Sequence, residues 1–160
     1  MATTSTNKQP LLVDRVFHNA IPSTTLTSGS DTDLNMTGTN ESAVLVNCTT
    51  NDGGIVEDLY LISRGTTPYT ALFYFSSSVD YLRPNEGVFV GKTVSATTAG
   101  DVVKADWLPK VLAPLPGTGS DSQVNALYIP KGEALWCTLQ LAGPANDATT
   151  PIIGAQGGFY

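Results

Sequence analysis

The residue types that could carry chemistry are few. The chain has one histidine, His18, and two cysteines, Cys48 and Cys137. A Ser-His-Asp arrangement would have to recruit His18 from an N-terminal segment with no visible scaffold, so the residue reads as a polar or interface side chain. No Gly-x-Ser-x-Gly elbow occurs. One histidine and two cysteines set in strand-like runs cannot assemble a zinc site of the usual spacing. The cysteines read as buried free thiols acting as small hydrophobes, with a bridge between adjacent strands as the alternative; nothing indicates an oxidising compartment.

The acidic residues offer slightly more. Asp31-Thr32-Asp33-Leu34-Asn35 opens like a calcium loop, but Met36 stands where the loop's glycine belongs and Ser42 where its bidentate glutamate belongs. Asp52, Glu57 and Asp58 could gather oxygen ligands at a turn, although solvated turn acids are the simpler reading. Glu57 and Asp58 are adjacent, so on a regular strand they face opposite sides and cannot act as a pair. Glu86 and Glu133 fall in turns. Glycoside hydrolysis needs two carboxylates across a cleft, and no strong pair is visible. Tyr69, Phe73, Tyr74, Phe75, Trp107 and Trp136 could line a sugar-binding face, but strand aromatics more often fill the core or pair across strands. Asn35, Asn40 and Asn47 head sequons that a Ser/Thr-rich chain produces by chance, and no basic region followed by an apolar one marks a signal peptide. No catalytic residue, cofactor or metal is expected.

The elements that would position these residues are strands. The length of 160 residues suits one core. Charged residues make up only 14%, against the usual quarter. Thr, Ser, Gly, Asn and Pro take their place, which favours strands and turns. The net charge of −6 repels a phosphate backbone, so nucleic acid is not an expected partner. No apolar run is long enough for a membrane span. Strands are predicted at Ser42 to Thr49, Ile55 to Ile62, Tyr69 to Phe75, Val88 to Val94, Gln123 to Ile129, Ala134 to Leu141 and Ile152 to Tyr160. Asn51-Asp52-Gly53-Gly54 is a strong turn signal, so the two strands flanking it read as a hairpin. Pro130-Lys131-Gly132-Glu133 is another tight turn, with glycine one place late for a type II turn begun by proline at its second position. Val103, Trp107 and Val111 lie four apart, which suits a short helix that Pro109 would limit. Pro114 to Ser122 reads as a surface loop. The sum is seven to nine short strands: an all-β, antiparallel β-sandwich or jelly roll.

The first 22 residues stand apart. A polar start leads into Pro10-Leu11-Leu12-Val13-Asp14-Arg15-Val16-Phe17 with no clear period. Such a segment either folds back on its own domain or docks on a neighbour. The organisation expected is an extended N-terminal arm over 1–22 and a sandwich domain over 23–160, with Leu11, Leu12, Val13, Val16 and Phe17 as partner-binding contacts. Deleting Met1 to Asn19 is expected to leave a folded domain.

The order of Ser42-Ala43-Val44-Leu45-Val46-Asn47-Cys48-Thr49, Leu127-Tyr128-Ile129-Pro130-Lys131-Gly132-Glu133-Ala134-Leu135-Trp136 and Gly154-Ala155-Gln156-Gly157-Gly158-Phe159-Tyr160, behind Thr6-Asn7-Lys8-Gln9-Pro10-Leu11-Leu12-Val13-Asp14-Arg15, resembles small β-sandwich virion proteins of tailed bacteriophages, those of cyanophages above all. The resemblance implies a non-enzymatic part of the particle. That part would be a capsid decoration or cement protein, or a ring, adaptor or fibre-associated component of the tail. It implies other virion proteins as partners, a homo-oligomeric or multicopy state and a virion location. The competing reading is a carbohydrate-binding module for host attachment, with Trp107 or Trp136 on its binding face.

Overall fold

The computed structural model describes residues 15–21, 42–77, 87–112, 123–140 and 149–160. Leu11, Leu12, Val13, the Asp31 to Asn35 loop, Glu86 and the whole Pro114 to Ser122 stretch lie outside these residues. The described elements are all strands: β1 (Arg15–Ile21), β2 (Ser42–Asn47), β3 (Gly54–Ile62), β4 (Thr70–Ser76), β5 (Val88–Val94), β6 (Val102–Lys104), β7 (Lys110–Leu112), β8 (Gln123–Asn125), β9 (Leu127–Ile129), β10 (Ala134–Gln140) and β11 (Ile152–Phe159).

Two antiparallel sheets face each other. The first runs β1-β11-β3, and the far edge of β3 is shared end to end by β9, opposite Gly54 to Val56, and β6, opposite Tyr60 to Ile62. The second runs β2-β10-β4-β5. The pairing is nested: β1 with β11, β2 with β10, β3 with β9 and β4 with β5. Strands from the start of the chain thus meet strands from its end, alternately in the two sheets. That is the wiring of a jelly roll.

Period-two patterning fixes which face each strand buries. On β4, Ala71 and Phe73 point into the core, and so do Leu135, Cys137 and Leu139 on β10; Val56, Leu59, Leu61, Ile153 and Ala155 answer from the first sheet. A fully buried side chain of this size contributes about 1.5–3 kcal/mol. β4 and β10 also bury their other faces, where Leu72, Tyr74, Ala134 and Trp136 form a second cluster. The density of aromatics in β4 follows from burial on both sides.

Three expectations need correction. β2 and β3 are not a hairpin: β2 pairs with β10 in the second sheet and β3 with β11, β6 and β9 in the first. The turn between them carries the chain from one sheet to the other, held by Cys48 N–H to the Glu133 carbonyl (3.0 Å) and Asn51 N–H to the Cys48 carbonyl (3.3 Å). The strand expected over Gln123 to Ile129 is two short strands in different sheets, separated at Ala126, whose N–H reaches the Pro109 carbonyl (2.9 Å). The segment open to a short helix forms β6 and β7 instead. Trp107 packs over Gly91 and against Phe73, with ring centroids 5.7 Å apart.

Part of the N-terminal segment belongs to the described fold. Residues 15–21 are β1, paired residue for residue with β11 from Arg15↔Phe159 to Ile21↔Ile153. This part folds back on its own domain, so the sandwich includes it. Deleting Met1 to Asn19 would therefore remove most of a sheet strand, contrary to the expectation of an undisturbed domain.

Candidate functional site

β1 is the element that brings the sequence-predicted contact residues onto the fold. Its alternation sends Phe17, Asn19 and Ile21 inward and Val16, His18 and Ala20 outward. Phe17 is only 8% exposed and its ring lies 4.7 Å from that of Phe159, so its contacts are within its own core. Asn19 is a polar residue on the inward row. Its amide donates to the Leu45 carbonyl at 3.0 Å, which satisfies it and ties β1 to β2 across the two sheets. Val16 is the opposite case, 81% exposed. Of the expected contacts, Val16 alone among the described residues presents its side chain to solvent.

The outward row of β1 continues across the first sheet. His18 stands beside Gln156 on β11, and Gln156 beside Asp58 on β3. His18 Nε2 and the Tyr60 hydroxyl share a hydrogen bond of 2.6 Å. Tyr60 reaches across β11 because residue 154 is glycine: a Cβ there would occupy the space of the Tyr60 ring. Lys104 pairs with Asp58 at 2.5 Å, and the Gln156 amide donates to the same carboxylate at 3.4 Å. Sequence reasoning missed this network. No hydrophobic alternation announced it: Val16 and Ala20 on the outward row are as apolar as Phe17 and Ile21 on the inward one.

Glu57 and Asp58 do not split between faces. The pairing of β3 with β11 slips by one residue, so Gln156 opposes Asp58 and Gly157 opposes Val56, with Glu57 left over. This bulge leaves Glu57 exposed and Asp58 partly exposed, where a regular strand would have turned one carboxylate into the core.

The rim at the start of β1 is held together by several chain segments. Arg15 lies over the Phe159 ring at 5.1 Å and donates to Asn51 at 3.5 Å. Asp52 N–H donates to the Tyr160 carbonyl and Tyr160 N–H to the Gly53 carbonyl, each at 3.2 Å. Lys131 pairs with Asp52 at 2.5 Å, and its hydrogen bond and charge hold that carboxyl below the ordinary range. Asp52 is thus engaged by lysine, and among the described residues no three His, Cys, Asp or Glu side chains gather as metal ligands.

The cysteines are free and buried. Burial pushes the Cys48 thiol up to about 11 and raises that of Cys137 as well, which disfavours the thiolate that nucleophilic or metal chemistry requires. The aromatics weighed as a sugar-binding face are mostly packed inside the fold. Trp136 is 3% exposed within the second cluster, and Trp107 Nε1 donates to Thr93 at 2.9 Å. Among the described residues, the exposed rings Phe89 and Tyr128 stand on different sheets. Among the described residues no helix is long and apolar enough to cross a membrane. Comparison of the chain with protein-family models, curated proteins and solved structures gives no match.

Proposed function

We propose that the chain is a non-enzymatic structural protein of a tailed-phage virion, present in many copies, that decorates or cements the capsid or joins the tail as a ring or adaptor component. The observation carrying this reading is the position of β1. Among the described residues it is an edge strand of the first sheet, and Arg15 stands at the rim beside the 48–53 and 130–133 turns. The chain thus enters β1 at the periphery of the sandwich, and in this reading Leu11, Leu12 and Val13, which precede β1 in sequence, contact a neighbouring subunit. An extended segment supplies main-chain hydrogen bonds for affinity and alternate side chains for specificity.

Two further observations support the reading. The ionisable side chains brought together on the first sheet engage one another: His18 with Tyr60 and Asp58 with Lys104. The jelly roll also builds viral capsid and lectin domains, although a fold by itself hosts many functions.

The test is incorporation. Particles are assembled with the full chain or with a chain lacking residues 1–14, a deletion that spares β1. The truncated protein is expected to fold with an unchanged melting temperature and to fall at least about tenfold in occupancy, equivalent to about 1.4 kcal/mol of lost attachment. Normal occupancy of the truncated protein would overturn the role of the segment. Absence of the full chain from purified particles would overturn the virion reading itself.

A further inference from the structure

We propose that β1 is also a self-association edge: two copies of the chain pair their β1 strands antiparallel about a two-fold axis at His18, joining their first sheets into one. This deepens the multicopy part of the reading above, but its test uses the free protein and does not depend on particles.

The first argument is that β1 lacks the devices that blunt sheet edges. Natural edges are protected by short length, bulges, lysine or proline. The pairing of β5 slips between Phe73 and Tyr74, and β5 carries Lys92. The pairing of β2 slips between Leu135 and Trp136. β6 and β9 are three residues each. β1 is seven residues long, has no lysine or proline and keeps an unbroken register with β11. Among the described residues its other edge has no strand partner.

The second argument is self-complementarity. Centring the axis on His18 is the register that pairs all seven β1 residues. It sets Val16 against Ala20 of the second copy, both on the outward row, and Ala20 against the second copy's Val16. The valine exposed at 81% thus gains an apolar neighbour. Phe17 falls opposite Asn19 on the inward row, so no side chain changes face. The two Arg15 side chains end up about 20 Å apart, at six steps of strand rise.

The third argument is charge. The chain carries −6 overall, yet residues 15–21 contain no carboxylate and include Arg15 and His18. Two acidic copies meet here without setting carboxylate against carboxylate.

Sedimentation velocity on the full chain, from about 1 μM to about 1 mM, tests the proposal. The expected result is a monomer–dimer equilibrium, weak because a single strand edge is a small interface. Val16→Lys, at a site where the native side chain is mostly solvent-exposed, should weaken the dimer at least about tenfold. Val88→Lys on β5 should leave it unchanged. A chain that stays monomeric throughout, or a dimer that Val16→Lys leaves intact, overturns the proposal. His18→Cys tests the register: a short bismaleimide should link two copies through residue 18, because Cys48 and Cys137 are buried. Failure to cross-link a demonstrated dimer overturns the axis at His18. A protein that stays monomeric yet enters particles removes this pairing and leaves the virion reading in place.

Discussion

Replacing Phe17 by alanine removes a ring packed on Phe159 inside the core. The expected cost is about 3 kcal/mol, seen in urea unfolding as a lower midpoint with an unchanged slope. Val16→Ser, one residue away, should stay within about 0.5 kcal/mol, because that side chain is exposed. The thiols give a second residue-scale prediction, and its sign follows from proton binding. The ordinary thiol value is 9.0, and burial raises the folded Cys48 thiol to about 11, with Cys137 raised too. Above pH 9 the unfolded chain loses protons that the folded chain keeps, so the unfolded state is favoured. The thiol contribution is fully present below pH 9 and is lost as pH rises through 11. The melting temperature should therefore fall over that window, and the Cys48→Ala, Cys137→Ala double variant should fall less steeply. Neither native thiol should react with Ellman's reagent at pH 8 until the protein is unfolded.

Among the elements, the turns decide what period-two patterning cannot. β2, β3, β4, β5, β10 and β11 were legible because each has a dense apolar run between turn residues. Their partners were not. Asn51-Asp52-Gly53-Gly54 announces a reversal, but nothing local states which sheet receives the next strand; that depends on β10 and β11, encoded some ninety residues later. The same holds at Pro130 to Glu133, which joins β9 in the first sheet to β10 in the second. There Glu133 N–H reaches the Pro130 carbonyl at 3.2 Å and Gly132 has φ +83°. The turn frame begins on Pro130, so Gly132 sits where a type II turn requires positive φ, and the glycine is not late. Gly132→Ala should cost about 1 kcal/mol through backbone strain alone, since no neighbour stands within 4 Å of a Cβ there. Thermal melts of this variant would show a lower midpoint with the sheet content retained. At the candidate site, Arg15 to Ile21 was not legible as a strand, because apolar Val16 and Ala20 share the outward row with His18 while polar Asn19 sits between Phe17 and Ile21 on the inward row. The Tyr60–His18 contact was not readable, because it depends on Gly154, which is distant from both in sequence and lies between them in the sheet.

At the scale of the whole molecule, nested wiring makes the longest closure the last to become favourable. β1 pairs with β11 across nearly the entire chain, from Arg15↔Phe159 to Ile21↔Ile153. The loop-closure cost of such a contact is met only after the intervening strands have drawn the ends together. Among the described residues, every pairing in the two main sheets joins strands distant in sequence except β4 with β5, so refolding should be slow, on the order of seconds, as in other sandwiches dominated by non-local contacts. Docking of β1 then belongs after the transition state. Phe17→Ala should accordingly speed unfolding and leave refolding nearly unchanged, whereas Phe73→Leu on β4 should slow refolding, because β4–β5 is the most local pairing in those sheets. Stopped-flow chevrons of the two variants separate these outcomes. A refolding arm slowed by Phe17→Ala would place β1–β11 closure in the nucleus and reverse the proposed order of assembly.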